Sequence, residues 1–107
     1  MKRTLVIPPE KIPGEGARAL WHVEDRSVAL FNIDGTLHAI DDRCPHAGAS
    51  LFAGTVSGRV VQCRAHGLRF DLATGCMPNV AGFGVRRYDV EARDGRTFLV
   101  VSDGGKS

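Results

Sequence analysis

Two Asp-Gly dipeptides, each between two β-prone segments, most strongly constrain the fold of this chain. Asp34-Gly35 and Asp94-Gly95 each lie between runs rich in Val, Ile, Leu and Phe. Both positions of a two-residue hairpin turn need residues that tolerate a positive φ, and Asp-Gly meets that need. Each dipeptide therefore predicts a β-hairpin. The predicted strands are residues 27–33 and 36–40 around the first turn, and 85–92 and 97–102 around the second.

Further strand-like runs occur along the chain, and no helix-period pattern of convincing length accompanies them. These runs are residues 4–7, 19–23, 59–63 and 68–71. Short strands at regular spacing, with thirteen glycines at or near turns, are typical of an all-β protein. We predict a small antiparallel β-sandwich or barrel. The region of about 41–81 is rich in Cys, His, Gly and Pro, and it is expected to be a loop-rich insertion between the hairpins.

Composition limits the class of protein. The chain has 107 residues, of which 43% are hydrophobic and 24% are charged, and its formal net charge is +2. These values are typical of one soluble domain, 1–107. Scattered arginines without a polybasic tract argue against a nucleic-acid partner.

The sequence also bears on localisation. No run approaches the roughly twenty apolar residues that span a bilayer, so no membrane partner is expected. The apolar run before Pro8 is too short for a signal-peptide core. We therefore expect a cytoplasmic protein.

Two Cys/His pairs stand out in the insertion. Cys44 and His46 enclose one proline, residues 47–62 follow, and Cys63 and His66 then enclose two residues. Each pair can present one thiol and one imidazole from a single turn, so two loops can bring four metal ligands to one point. Gly67 directly follows His66, and a glycine allows a backbone N–H to approach an anionic inorganic core.

The residues alone leave three chemistries open. Zinc takes two Cys and two His, but its usual sites pair Cys with Cys and His with His, whereas each pair here is mixed. A Cys44–Cys63 disulfide is disfavoured in a reducing compartment, and three cysteines are an odd number. The third option is a [2Fe–2S] cluster in which two His replace two Cys on one iron. The mixed pairing favours this cluster.

The two pairs, together with residues 68–75 after the second pair, resemble the Rieske ferredoxins. The resemblance covers most of the chain and implies a Rieske fold with one [2Fe–2S] cluster. It also implies that Cys44 and Cys63 bind the inner iron, while His46 and His66 bind the outer iron near solvent.

The same resemblance implies a function. Such proteins are electron carriers rather than enzymes, so we expect a monomer that takes one electron from an NAD(P)H-dependent flavoprotein ferredoxin reductase. The expected acceptor is a terminal ring-hydroxylating Rieske oxygenase. Two alternatives remain: a small subunit of a larger reductase, such as nitrite reductase, and a zinc-stabilised binding module.

Departures from the family pattern indicate which kind of Rieske site this is. Members from respiratory complexes carry two additional cysteines that form a bridge, and Ala49 and Ala65 stand at those positions. The same members place Ser and Tyr hydroxyls beside the cluster, where this chain has Leu68 and Phe70. Fewer donors to sulfur disfavour the added electron, so a low potential is expected.

The remaining candidates are interpreted as structural. Cys76 has no role in the family and is expected to be a small buried hydrophobe. Asp41 and Asp42 can form an acidic docking patch, but we interpret them as solvated turn residues. His22 and His38 are expected to be structural rather than ligands. The predicted core includes Trp21, Phe31 and Phe98.

Overall fold

The computed structural model describes residues 2–42, 50–63, 67–75 and 84–102. The predictions for Cys44, His46, His66, Cys76, Ala49 and Ala65 lie outside these residues. The described part holds a 3-10 helix, Pro9–Lys11, and nine strands. The strands are β1 Lys2–Val6, β2 Arg18–Val23, β3 Arg26–Ile33, β4 Thr36–Asp41, β5 Thr55–Ser57, β6 Val60–Gln62, β7 Arg69–Asp71, β8 Arg87–Arg93 and β9 Arg96–Ser102.

The strands form two antiparallel sheets, which confirms the predicted all-β class. The larger sheet has the order β1-β9-β8-β4-β3-β2, and the smaller one has the order β5-β6-β7. Strands β4 and β8 are hydrogen-bonded neighbours, although the whole small sheet lies between them in sequence. The small sheet is therefore an insertion into the large one.

Both predicted hairpins are confirmed. Ile33 pairs with Thr36 across the first turn, and Arg93 pairs with Arg96 across the second. Asp34 and Gly35 have φ values of 53° and 85°, and Asp94 and Gly95 have 51° and 75°. Two successive positive φ values match the right-handed twist of the paired strands, which explains why Asp-Gly occurs at both sites.

Two apolar clusters pack on opposite faces of β3. Val28 and Leu30 belong to one cluster and Ala29 and Phe31 to the other, so the middle of the strand, residues 28–31, is apolar on both faces. The first cluster, here the sheet core, consists of Ile7, Trp21, Val28, Leu30, Ala39, Tyr88, Leu99 and Val101. The second, here the insert core, consists of Ala29, Phe31, Ile40, Leu51, Val61, Cys63, Phe70 and Leu72.

The large sheet curls, which brings its two edge strands towards each other. Ile7, which follows β1, and Trp21 of β2 belong to the same sheet core. Arg3 of β1 also donates to both carboxylate oxygens of Glu24, at 2.9 and 3.0 Å, and Glu24 directly follows β2. These contacts cover the interior of the curled sheet along its open seam.

Some expectations need correction. Strand β5 and the 3-10 helix, each of three residues, were not predicted, whereas the equally short β6 and β7 lie within the predicted runs 59–63 and 68–71. Trp21 and Phe31 are buried as expected. Phe98 is only half-buried, and the Arg93 guanidinium lies over its ring at 5.0 Å. Among the described residues, no helix is long and apolar enough to cross a membrane.

Candidate iron–sulfur centre

Cys63 lies at the base of a tight loop between β6 and β7. Its N–H donates to the Leu68 carbonyl at 2.7 Å, and its own carbonyl accepts from the Gly67 N–H at 2.8 Å. Gly67 has a φ of 72°, a left-handed conformation that favours glycine. The Cys63 side chain is fully buried in the insert core. The hydrogen bonds to Gly67 and Leu68 thus fix the Cys63 backbone, and its thiol lies among apolar side chains.

Asp42 joins the two sides of the segment 43–49, which carries Cys44 and His46 in sequence. Its carbonyl accepts from the Leu51 N–H at 2.7 Å, and its carboxylate accepts from the Phe52 N–H at 2.6 Å. The Ser50 hydroxyl donates to the same carboxylate, 2.9 Å from Oδ1 and 2.8 Å from Oδ2. The interpretation of Asp42 as a solvated turn residue is therefore wrong, because its carboxylate satisfies donors within the fold.

Asp41 is also engaged internally rather than solvated. The Tyr88 hydroxyl donates to Asp41 Oδ1 at 2.6 Å, and the Asp41 N–H donates to the Arg86 carbonyl at 2.9 Å. Burial, followed by the hydrogen bond to Asp41, raises the pKa of Tyr88 to about 12. Asp41 therefore ties the end of β4 to the start of β8.

A third hydrogen-bonded connection, after those made by Cys63 and Asp42, joins Gly75 and Val85. The Val85 N–H donates to the Gly75 carbonyl at 2.7 Å, and Gly75 is buried with a φ of 80°. Leu51 and Cys63 belong to the insert core, and Val85 packs against it. The backbone hydrogen bonds Asp42–Leu51, Cys63–Leu68 and Gly75–Val85 therefore all lie at the insert core.

The surroundings of Cys63 fit an iron–sulfur ligand. Its neighbours in the insert core are all apolar, and they include Leu51, Val61 and Phe70. A buried thiol is a soft ligand, and iron–sulfur clusters are held by such thiolates. Within the described ranges, no group of three or more Cys, His, Asp or Glu side chains comes together. Of the four predicted ligands only Cys63 falls in these ranges, so the structure does not test the set.

The two other histidines lie outside the insert core. His22 is exposed, and its Nδ1 lies 2.8 Å from the Ser27 hydroxyl. His38 is half-buried on β4, where desolvation and then the nearby Arg87 charge lower its pKa.

Sequence reasoning missed Arg18 as a residue that supports the site. Its Nη1 donates to the carbonyls of Phe52 and Gly54, at 2.8 and 2.6 Å, and its guanidinium lies 5.5 Å from the centre of the Phe31 ring. Both acceptors are main-chain atoms more than thirty positions away, so no local pattern signals the contact.

Comparison with known proteins places the chain in a family. The family model described as the Rieske [2Fe-2S] domain matches residues 2–88. The chain therefore belongs to the Rieske [2Fe–2S] domain family, and its cofactor is a Rieske-type [2Fe–2S] cluster. The resemblance predicted from the two Cys/His pairs is confirmed.

Its relatives are ferredoxin components of dioxygenase systems. The 3-phenylpropionate/cinnamic acid dioxygenase ferredoxin subunit of Photorhabdus laumondii is 36% identical over 107 residues, covering 96% of this chain and 98% of the relative. The ferredoxin component of the naphthalene 1,2-dioxygenase system of Pseudomonas putida is 31% identical over 83 residues, covering 75% and 78%. These relatives are electron-transfer subunits rather than catalytic oxygenases, and the expectation that this chain is not an enzyme is confirmed.

Solved structures agree with this placement. The ferredoxin of carbazole 1,9a-dioxygenase from Nocardioides aromaticivorans IC177 superposes with a TM-score of 0.72 at 26% identity, covering 88% of this chain and 92% of that one. A ferredoxin in a complex of reduced oxygenase and oxidized ferredoxin in carbazole 1,9a-dioxygenase gives 0.74 at 25% identity, covering 89% and 99%. The predicted Rieske fold is confirmed.

Proposed function

We propose that this protein carries single electrons from an NAD(P)H-dependent flavoprotein reductase to a terminal ring-hydroxylating Rieske oxygenase. One observation carries the proposal: the chain aligns over 96% of its length with a dioxygenase ferredoxin subunit. A second similar protein is a ferredoxin in a complex with its oxygenase, which supports an oxygenase as the electron acceptor.

Four residues are proposed to hold the cluster. Cys44 and Cys63 bind the inner iron, and His46 and His66 bind the outer iron nearer to solvent. The buried Cys63 thiol and the adjacent glycine turn support this assignment. When bound, the cluster supplies a one-electron couple whose potential depends on its ligands, on hydrogen bonds to sulfur and on solvent exposure.

The potential of this site is proposed to be low. Phe70 is fully buried in the same cluster of side chains as Cys63, and Leu68 packs against that cluster. Neither side chain has a hydroxyl that donates to a sulfur atom. The reduced state carries more negative charge on sulfur, so fewer donors stabilise it less and the potential falls.

Partner exchange sets the expected mode of action. A carrier must leave one partner before it meets the next, and small interfaces suit rapid dissociation. We therefore propose that the protein acts as a monomer. The cytoplasm is the proposed compartment, because the flavoprotein reductase draws on NAD(P)H.

The domain organisation is part of the same proposal. Residues 1–107 form one Rieske domain, and about 41–81 form its cluster-binding subdomain. The position of β5, β6 and β7 between the neighbouring strands β4 and β8 supports this division.

Reconstitution of the electron path tests the function. Purified holoprotein is mixed with a flavoprotein reductase, NADH and the oxygenase of a related dioxygenase system, and the hydroxylated product is measured. We expect product formation to depend on the concentration of the carrier and to disappear with Cys63→Ala. If wild-type holoprotein is not reduced by any such reductase and instead co-purifies stably with one large reductase chain, the small-subunit alternative is correct.

A further inference from the structure

We propose that Asp42, together with Arg18, is a positioning residue for the first ligand loop, residues 43–49. Both residues act on the exit segment, defined as residues 50–54, through which the chain leaves this loop. The inference rests on the proposed function, because it takes Cys44 and His46 as ligands on the loop.

Asp42 forms hydrogen bonds both to the large sheet and to the exit segment. Its N–H donates to the Ser27 carbonyl of β3 at 2.9 Å, which anchors it to the large sheet. Its carbonyl and its carboxylate together accept from Ser50, Leu51 and Phe52. A main-chain N–H that loses its acceptor inside a fold destabilises the local backbone. One residue thus fixes both the entry and the exit of the loop.

Arg18 holds the exit segment from the edge strand β2. Its guanidinium donates to the Phe52 and Gly54 carbonyls, at 2.8 and 2.6 Å, while it packs on the Phe31 ring. Charged donors make stronger hydrogen bonds than neutral ones, and the planar guanidinium suits two acceptors at once. The exit segment is therefore hydrogen-bonded to both a carboxylate and a guanidinium.

The exit segment also packs against the strand that leads to Cys63. Gly54 is buried, and a Cβ atom there would collide with the Gln62 carbonyl of β6 and approach the Val61 side chain to 3.1 Å. Cys63 directly follows Gln62. The contacts thus run from Asp42 and Arg18 through the exit segment to the backbone of the second ligand loop. They connect the residue before the first ligand loop with the residue before Cys63, and this connection is the basis of the proposed positioning role.

Matched variants separate positioning from general stability. Asp42→Ala removes every side-chain contact, whereas Asp42→Asn keeps one oxygen that accepts hydrogen bonds. The control is Asp89→Ala, an exposed carboxylate of β8 that pairs with Arg87. For Arg18→Met the control is Arg93→Met, because Arg93 also covers a phenylalanine ring. The measurements are the rate of iron release to a chelator and the principal g values of the reduced holoprotein.

We expect Asp42→Ala and Arg18→Met to release iron about tenfold faster than wild type, because a less firmly held loop binds the metal less tightly and lost support around a metal site weakens binding by about tenfold or more. Their g values should shift, whereas Asp42→Asn and both controls should resemble wild type. Should Asp42→Ala fail to fold, Ser50→Ala removes one contact and is expected to speed release by about threefold.

Wild-type rates and g values in Asp42→Ala would overturn the positioning role, as would an unchanged rate in Ser50→Ala or equal changes in the controls. The wild-type spectrum is recorded first and tests the proposed function by itself. A wild-type protein without a Rieske signal overturns that function, and the inference falls with it. A wild-type signal with unaffected variants overturns the inference alone.

Discussion

Tyr88 shows at the scale of one residue how burial and a hydrogen bond act together. It is 4% exposed in the sheet core and donates to Asp41 Oδ1 at 2.6 Å. These two effects raise its pKa from 10.0 to about 12. The neutral hydroxyl therefore contributes stability that is fully present below pH 10 and is lost as the pH rises through about 12.

This shift predicts a pH-dependent loss of stability that Tyr88→Phe removes. Between pH 10 and 12 the free energy of unfolding of wild type should fall by about 2 kcal/mol more than that of the variant. Tyr88 is the one tyrosine of the chain, so tyrosinate absorbance reports its pKa directly. Parallel urea denaturation curves at each pH give the stability difference. A tyrosinate transition near pH 10 with equal slopes for both proteins would contradict the prediction.

Phe70 permits a test of the low potential. Phe70→Tyr adds a hydroxyl inside the insert core beside Cys63, where it can donate to sulfur and stabilise the reduced state. Each 1 kcal/mol of preference for the reduced state raises a one-electron potential by about 40 mV. We expect a rise of about this size in a redox titration. Phe98→Tyr, on a half-buried ring covered by Arg93, is the control and should leave the potential unchanged.

Local spacing predicts ligands better than it predicts the residues that support them. The two Cys/His pairs are recognisable because both members of each pair lie within four positions. Asp42 and Arg18 act on main-chain atoms, and the partners of Arg18 lie 34 and 36 positions away. Only the folded structure brings such groups together, so Asp42 was interpreted wrongly and Arg18 was missed.

At the scale of elements, the agreement between the predicted and the observed strands comes mainly from the turn residues. The observed β3 ends at Ile33 and β4 begins at Thr36, as predicted, because the Asp34-Gly35 turn fixes where these two strands meet. The pattern did not reveal that β3 is covered on both faces. That arrangement depends on the packing of the small sheet against β3, which joins residues far apart in the chain and leaves no local pattern.

The close packing at Gly75 predicts that one added methyl group there lowers the stability of the fold strongly. Gly75→Ala would place a Cβ 2.6 Å from the Val85 carbonyl oxygen at a φ of 80°. Gly95→Ala has nearly the same φ, 75°, but nothing lies within 4 Å of its Cβ. Chemical denaturation should therefore show a loss of about 1 kcal/mol for Gly95→Ala and a clearly larger loss, about 3 kcal/mol, for Gly75→Ala. Equal losses of stability in the two variants would show that the close contact with Val85 does not destabilise Gly75→Ala.

At the scale of the whole molecule, we expect the stability of the two cores to depend on the metal to different degrees. The sheet core consists of apolar side chains and the tyrosine ring, whereas the insert core contains the proposed ligand Cys63. Metal binding supplies folding free energy to the elements that carry the ligands. Stability should therefore be unevenly distributed once iron is removed.

Removal of the cluster is expected to loosen the small sheet first. Amide hydrogen exchange of the apoprotein should show loss of protection in β5, β6 and β7, with protection retained in β9 and in β3, which both have a hydrogen-bonded neighbour on each side. Holoprotein under the same conditions is the control. Uniform loss of protection over both sheets would contradict the division into two cores.

The central claim is that four residues of this chain hold a Rieske-type cluster that transfers single electrons. Electron-spin-resonance spectra of anaerobically reduced, iron-loaded protein test it most directly, together with iron and sulfide analysis of the same sample. We predict two irons and two sulfides per chain and a rhombic Rieske signal, which His66→Ala and Cys44→Ala abolish. Zinc without iron or sulfide, or an iron-loaded protein that lacks the rhombic signal, would contradict the account.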